Sequence, residues 1–407
     1  MVAAKGRMHT YVMTKTAPKT AAVIGAGPAG LMAAEVLSAG GMAVTVHDRM
    51  PSAGRKFLMA GRGGLNLTHS ESFDAFLARY GAASAHLRPM LEAFPPRALI
   101  AWADALGAQT FTGSSGRVFP KAMKASPLLR AWLERLDRQN VRFHLRHDWR
   151  GWTEEAPAPD VTVLALGGAS WPRLGADGSW TTFLREKGVE IAPLRPANMG
   201  VDVDWSELFR TRFAGRPLKN VTLRFGGHAA RGDATITRYG IEGGAVYALS
   251  SVLREALGDA KAVALEIDLR PDLTQQQIER RLARPRGKES LANYLRKAAN
   301  LSPLESNLLR ETATPPERLK SIPLLLTGTQ PLARAISTAG GISFDAVDDA
   351  LMLKAMPGTY AIGEMLGWEA PTGGYLLQAC FSTAVFAARS ILKRMAEPAA
   401  DNPHQPP

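Results

Sequence analysis

Residues 21–48 read AAVIGAGPAGLMAAEVLSAGGMAVTVHD. A short apolar run, Ala21 to Ile24, meets a glycine turn at Gly25, Gly27 and Gly30. An alanine-rich helix is predicted to about Ala39, and a second apolar run, Ala43 to Val46, ends at His47 and Asp48. This is a β-α-β unit with a dinucleotide fingerprint. Gly25 allows the tight turn, Gly27 lets backbone approach a pyrophosphate, and Gly30 lets helix and strand pack closely. Phosphates would sit at the helix N-terminus, where free N–H groups and the helix dipole favour anions. Asp48 stands where a carboxylate can hold ribose hydroxyls. The plain alternative is an ordinary β-α-β unit with a glycine turn.

Directly after this unit, residues 50–71 place Gly54, Gly61, Gly63 and Gly64 among Arg55, Lys56 and Arg62. Such a segment is too glycine-rich for a helix and suits backbone amides facing an anion. Two amphipathic helices are predicted over 72–108, about Phe73–Tyr80 and Leu87–Leu106, with Pro95-Pro96 breaking the second. Residues 111–126 read as a loop or hairpin, 127–140 as a helix and 141–149 as a strand. In a strand, His144 and His147 would face opposite sides and form no metal pair. Residues 160–168 form a buried strand that ends in a glycine pair, returning the chain to the ligand crevice of a doubly wound sheet.

From about 193 to 331 the pattern changes. Residues 198–265 alternate apolar and polar, as in antiparallel strands. Residues 274–327 read as polar helices closed by the apolar SIPLLLTG. The sheet then resumes, with a short strand at Tyr360 ending at Gly363-Glu364 and Thr372-Gly373-Gly374 opening a last helix to Met395. The expected organisation is a Rossmann-like α/β domain over 20–192 and 332–396. It carries a β-rich insert (193–270) and a helical insert (271–331), with disordered tails at 1–19 and 397–407.

The chain has 407 residues, 46% of them hydrophobic, and a net charge of +12. That size suits two or three domains. No charge-free apolar run approaches the ~18–20 residues of a membrane span. The first 19 residues lack the apolar core of a signal peptide. One cysteine, Cys380, excludes an internal disulfide and a cysteine zinc site. A cytoplasmic protein with no bound metal and no membrane association is expected. The basic balance leaves a nucleic-acid partner open. Nine Arg or Lys face three acids between 117 and 150, and ten face five over 274–327. A solvated surface explains both segments more simply than RNA.

Several separated motifs follow one another in order: GRK…GRGGLNLTH (54–69), GRVFPKAMKAS (116–126), LGG (166–168), TAGGIS (338–343), and GE…PTGGY (363–375). Together they resemble the BaiN/RdsA-like family of FAD-dependent oxidoreductases, of the glutathione-reductase type. The resemblance spans about residues 20–395. It implies an FAD domain built from both chain ends around the inserts. FAD would be held through Gly25, Gly27, Pro28, Ala29, Gly30, Asp48 and Arg49 at its adenosine half. Arg55, Lys56, Gly63, Gly64, Asn66, Gly167, Gly341, Gly363, Glu364, Gly373 and Gly374 would lie along the rest. It also implies reduction of a conjugated C=C bond, in a steroid-like ketone or other small enone, or in a uracil ring of ribosomal RNA.

The sequence departs from the family in Gly367, TRYGIEGG (237–244) and GGYLLQ (373–378), which bears on substrate more than on cofactor. With a single dinucleotide fingerprint, NAD(P)H would visit only transiently. Arg238 or Arg117 would polarise an acceptor carbonyl and Tyr239 would donate a proton. Asn198 is a weaker candidate for contact with the acceptor, and Cys380 is expected to be a buried structural thiol. Two other classes remain open at this point. One is a flavin dehydrogenase or oxidase of a small molecule; the other is a flavin-carrying RNA-binding protein without turnover. Oligomeric state is not legible.

Overall fold

A computed structural model describes residues 17–59, 63–153 and 158–397. The expected tails lie outside these residues except for 17–19 and 397, as do Gly61 and Arg62. Five parallel strands form the main sheet, in the order Thr359–Ala361, Val161–Leu164, Thr20–Ile24, Ala43–Asp48 and Arg142–Leu145. Val23, Val46 and Val163 are fully buried, as parallel strands covered on both faces require. The chain leaves the central strand Thr20–Ile24 to one side first and returns to the other. A crevice therefore opens at the strands' carboxyl ends.

Two helices close the sheet. The first, Pro28–Ala39, begins with Pro28 at a position where the missing N–H is harmless. It packs against the last helix, Tyr375–Ala396. That last helix is the one described helix long and apolar enough to cross a membrane, yet 61% of its apolar window is buried inside the protein. The predicted second amphipathic helix is two, Ser84–Ala93 and Pro96–Asp104, divided at the expected prolines. The 111–126 segment is a hairpin, Thr110–Thr112 with Arg117–Pro120, extended by Thr68–His69. The 127–140 helix runs Ala125–Arg138.

One residue deep in this domain is charged. Glu35, on the first helix, is 9% exposed. Its carboxylate accepts from the indole N–H groups of Trp132 (2.6 Å) and Trp102 (3.1 Å), and pairs with Arg135 at 2.9 Å.

The reading of His144 and His147 needs correction. The strand ends at Leu145, and Arg146 takes a left-handed φ of +56°. Alternation therefore stops before His147, and both rings lie against His47, at 5.1 and 4.9 Å. Among the described residues, no group of His, Cys, Asp or Glu is arranged to hold a metal ion.

The insert is built on a seven-stranded antiparallel sheet, in the order Ile322–Leu326, Val263–Asp268, Pro217–Phe225, His228–Ile236, Gly240–Glu242, Val201–Asp202 and Gly328–Thr329. Ile322–Leu326 is thus a strand rather than the apolar end of a helical segment. Ile322, Leu324 and Leu326 are buried while Pro323 and Leu325 face out. The period of two is hidden in the sequence because outward Leu325 is itself apolar. Helices Gln275–Leu282, Leu291–Ala299 and Pro303–Glu311 share one apolar cluster with this sheet through Ile278, Leu295 and Leu308. A separate cluster fills the Rossmann side. An antiparallel ribbon, Ile191–Ala197 with Ser337–Ile342, carries the chain between the two bodies.

The helical part depends on a buried carboxylate. Glu305 completes a capping box with Ser302 and takes both Arg270 nitrogens, at 2.6 and 3.1 Å. Burial alone would raise its pKa; the Arg270 and Ser302 hydrogen bonds outweigh that and lower it from 4.5. A lowered folded-state pKa contributes stability that is present above the unfolded value and lost as pH falls through the folded one. Unfolding midpoints of the protein should therefore fall on acidification below pH 4.5. Glu305→Gln should make that fall shallower, and equal slopes in the two proteins would refute the assignment.

Candidate nucleotide cleft

A cleft of about 720 Å³ lies at the carboxyl ends of the parallel strands, within the size range of small-molecule and cofactor sites. Its floor is the fingerprint. Gly25 has φ +109° and donates its N–H to His47 O at 2.7 Å, which fixes the turn against the second strand. Asp48 accepts from Ala26 N at 2.6 Å and from Met50 N at 2.7 Å. A carboxylate has about four acceptor sites, so two remain for ligand hydroxyls. The acid expected to hold a ribose therefore also shapes the turn beneath it. Gly27 is in extended backbone, and a Cβ built on it meets nothing within 4 Å. Its open side is cleft, and the first helix begins at the next residue.

Two further walls follow. Gly54 N donates to Ala26 O at 2.8 Å, which brings Arg55 and Lys56 to the cleft. Arg55 Nε is buried without a partner. Arg49 also lines the cleft, paired with Asp177 at 2.8 Å. Lys56 Nζ reaches Glu364 at 2.8 Å and Ser170 Oγ at 2.7 Å; Glu364 in turn accepts from Thr338 N at 3.0 Å. This network joins residues 308 positions apart. On the other wall stand His47 and His147, with Asp148 to Arg150. Burial, then the neighbouring His147 and His144, push His47 down to about 4, so it is neutral at physiological pH. Its Nδ1 is buried without a partner.

Of the residues singled out in the sequence, the cleft is lined by Gly25, Gly27, Pro28, Ala29, Asp48, Arg49, Arg55, Lys56, Gly167 and Glu364. Gly30 lies behind it, where a Cβ would come 1.8 Å from Gly25 O. Gly63, Gly64, Asn66, Gly341, Gly363, Gly373 and Gly374 are not among its lining residues. Several of these instead meet protein: Gly341 faces Met365 O and Gly374 faces the backbone of Thr68, where a Cβ would come within 2.5 Å. Asn66 Oδ1 is buried without a partner.

None of the three catalytic candidates lines the cleft, and Arg117 stands on a different body from the adjacent Arg238 and Tyr239. Arg117 is exposed on the hairpin and Arg238 is exposed on the insert. Tyr239 is half-buried and donates its hydroxyl proton to Glu242. Burial, then the bond to Glu242, raises its pKa. Asn198 is buried between the two bodies, with both amide hydrogens donated and its Oδ1 accepting one bond. Cys380 reaches the cleft beside Glu364, where burial and then that carboxylate push its thiol up to about 12. It is therefore a neutral thiol and not a nucleophile at neutral pH.

Ser170, His147 and Glu35 carry no spacing signal that would have marked them in the sequence. Each meets its partners across long stretches of chain, Ser170 with Lys56, His147 with His47, and Glu35 with Trp132.

Residues 19–390 match the family model described as the HI0933-like protein Rossmann domain. The 3-dehydro-bile acid delta(4,6)-reductase of Clostridium scindens is 26% identical over 409 residues, covering 91% of this chain and 98% of that protein. The ribosomal RNA dihydrouridine synthase of Haemophilus influenzae is 25% identical over 408 residues, again 91% and 98%. Among solved structures, the open conformation of a flavocytochrome c3 fumarate reductase matches with a TM-score of 0.50 at 16% identity. That match covers 93% of this chain and 79% of the other; the likeness concerns the fold.

Proposed function

The chain belongs to the HI0933-like Rossmann family of BaiN/RdsA-like flavoproteins, and from that premise we propose that it is an FAD-dependent oxidoreductase that reduces a conjugated C=C bond with NAD(P)H as electron source. The acceptor would be a uracil ring of ribosomal RNA or a small enone, since the names of the two relatives describe a reductase of one kind and a dihydrouridine synthase of the other. The observation that carries this reading is the cleft itself. It passes from Asp48, with two free acceptor sites, over the open face of Gly27 and the first helix's N-terminus, to Arg55, Lys56 and Glu364.

These residues fit an extended dinucleotide. Asp48 would take ribose hydroxyls. The N-terminus at Pro28 and the unpartnered Arg55 Nε would take the pyrophosphate. Lys56 and Glu364 neutralise each other and hold Ser170 and Thr338 in place, so the far end of the cleft is preorganised. Bound there, the flavin supplies hydride chemistry between a nicotinamide and an electron-poor carbon. Anaerobic addition of NADPH to the purified protein tests this. Bleaching of the yellow flavin band is expected, and a band that persists would count against any reductase.

Gly27 gives a sharper test of the site. Its backbone is extended and a Cβ has room, so Gly27→Ala should fold with an unchanged melting temperature. The added methyl projects toward the ligand, and flavin retention should drop about tenfold, the penalty for displacing a tightly apposed phosphate. Full flavin content in that variant would mean that the ligand does not approach Gly27.

A further inference from the structure

Chain crossings between the Rossmann body and the insert run through the ribbon Ile191–Ala197 and Ser337–Ile342. Two residues on the insert side reach across that seam. Asn198 follows the first ribbon strand with φ +52°, a conformation asparagine tolerates better than most residues. Its Nδ2 donates to Ser337 Oγ at 2.7 Å and to Ala370 O at 2.8 Å, and its Oδ1 accepts from Thr372 N at 3.0 Å. Arg254, on the helix Ser250–Asp259, is 7% exposed. It grips Glu369 with both terminal nitrogens, at 2.9 and 2.7 Å, and Pro196 O at 3.0 Å.

Four of these six bonds converge on one short loop, and the other two reach the ribbon at Ser337 and Pro196. Residues 369–372 receive contacts from the insert at three positions: Glu369, Ala370 and Thr372. The loop has little slack of its own. At one end Trp368 donates its indole N–H to Gly363 O at 2.9 Å, next to the cleft residue Glu364. At the other end Gly374 is pressed on the Thr68 backbone. Packing alone would be served by an apolar side chain at 254. A buried guanidinium is tolerated only with its charge matched and its donors used; here Glu255 of its own helix takes Nε and Nη2 at 3.1 and 3.0 Å, and the bidentate partner, Glu369, belongs to the other body.

We propose that Arg254 and Asn198 are positioning residues: from the insert they set the loop 369–372, which through Trp368 and Gly363 adjoins Glu364 at the edge of the nucleotide cleft, and thereby the environment of the flavin. The insert then serves as more than a cover, because the geometry of the cleft's far edge is incomplete without it. This inference rests on the reading of the cleft as the FAD site.

The test uses the purified flavin-loaded protein with Arg254→Gln, Glu369→Gln and Arg254→Lys. None of these side chains lines the cleft, so flavin stoichiometry should stay near wild type. The visible circular dichroism of the bound flavin should change in both Gln variants. Anaerobic bleaching by NADPH should slow about tenfold, as expected for a small misplacement of a reacting group. Arg254→Lys keeps the charge and loses the bidentate grip, so it should restore part of both signals. Wild-type dichroism and bleaching in folded Arg254→Gln and Glu369→Gln would overturn the proposal. So would changes that only follow loss of folded protein by melting temperature. The dichroism needs no reductant. A wild type that binds flavin but is not bleached would therefore sink the proposed function, while the dichroism of the variants would still decide whether Arg254 positions the loop. A wild type without flavin would overturn both.

Discussion

Gly30→Ala is expected to yield a protein without flavin and with stability lower by about 3 kcal/mol or more. A Cβ at this position would lie 1.8 Å from Gly25 O, 3.1 Å from Gly25 C and 3.2 Å from Ala165 Cβ. The first two are backbone and cannot swing aside. The turn must open, and opening it moves Ala26 away from Asp48 and Gly25 away from His47 O, the two bonds that shape the cleft floor. Gly27→Ala provides the contrast. Both changes add one methyl to the same fingerprint three residues apart. One should lose ligand and fold together, the other ligand alone. The readouts are the ratio of visible flavin absorbance to protein and the urea midpoint. A Gly30→Ala protein with wild-type flavin content and midpoint would show that helix and turn are not in the contact described.

Glu35→Ala should destabilise the Rossmann body by about 3–5 kcal/mol, the range for removing one partner of a buried charged network. Glu35 holds three donors at once: Trp102, Trp132 and Arg135. Trp132 is fully buried, so its indole N–H finds no water when the carboxylate goes. Glu35→Gln keeps an acceptor oxygen for the indoles but gives up the charge opposite Arg135, and it should lose less than half as much. Melting temperatures measure both, with a drop of roughly 10 °C expected for the alanine variant in a body of this size. Equal melting temperatures for wild type and Glu35→Ala would remove the network from the stabilising contacts. Because Glu35 lies on the helix that starts at Pro28, a looser helix should also weaken flavin retention.

These two expectations differ in how far the sequence foretold them. The contact behind Gly30 could be read from spacing alone, because Gly25 and Gly30 are five residues apart and the geometry of a strand-turn-helix is fixed by local backbone rules. Glu35 could not. Within AAEVLSA it reads as the solvent-facing residue of an alanine helix, and only the return of residues 102, 132 and 135 onto that face makes it buried. The same holds for the strand Ile322–Leu326, whose pairing with Val263–Asp268 overrides an apolar pattern without visible alternation. It holds too for His144 and His147, whose separation in an ideal strand says nothing once Arg146 turns the chain.

The sequence by itself determined the nucleotide-binding unit, the order of its motifs, the presence of an insertion between its halves and the family to which they belong. These follow from interactions within about 30 residues, where turn chemistry and helix geometry leave few choices. Only the tertiary structure decided which of the singled-out residues share one cleft, that Tyr239, Arg238 and Arg117 do not line it, that Asn198 bridges two bodies, and that Arg254 meets Glu369. Those outcomes depend on side chains 115 to 308 positions apart. Their meeting is set by topology and by the burial of charge that topology imposes, and neither leaves a periodic trace in the chain.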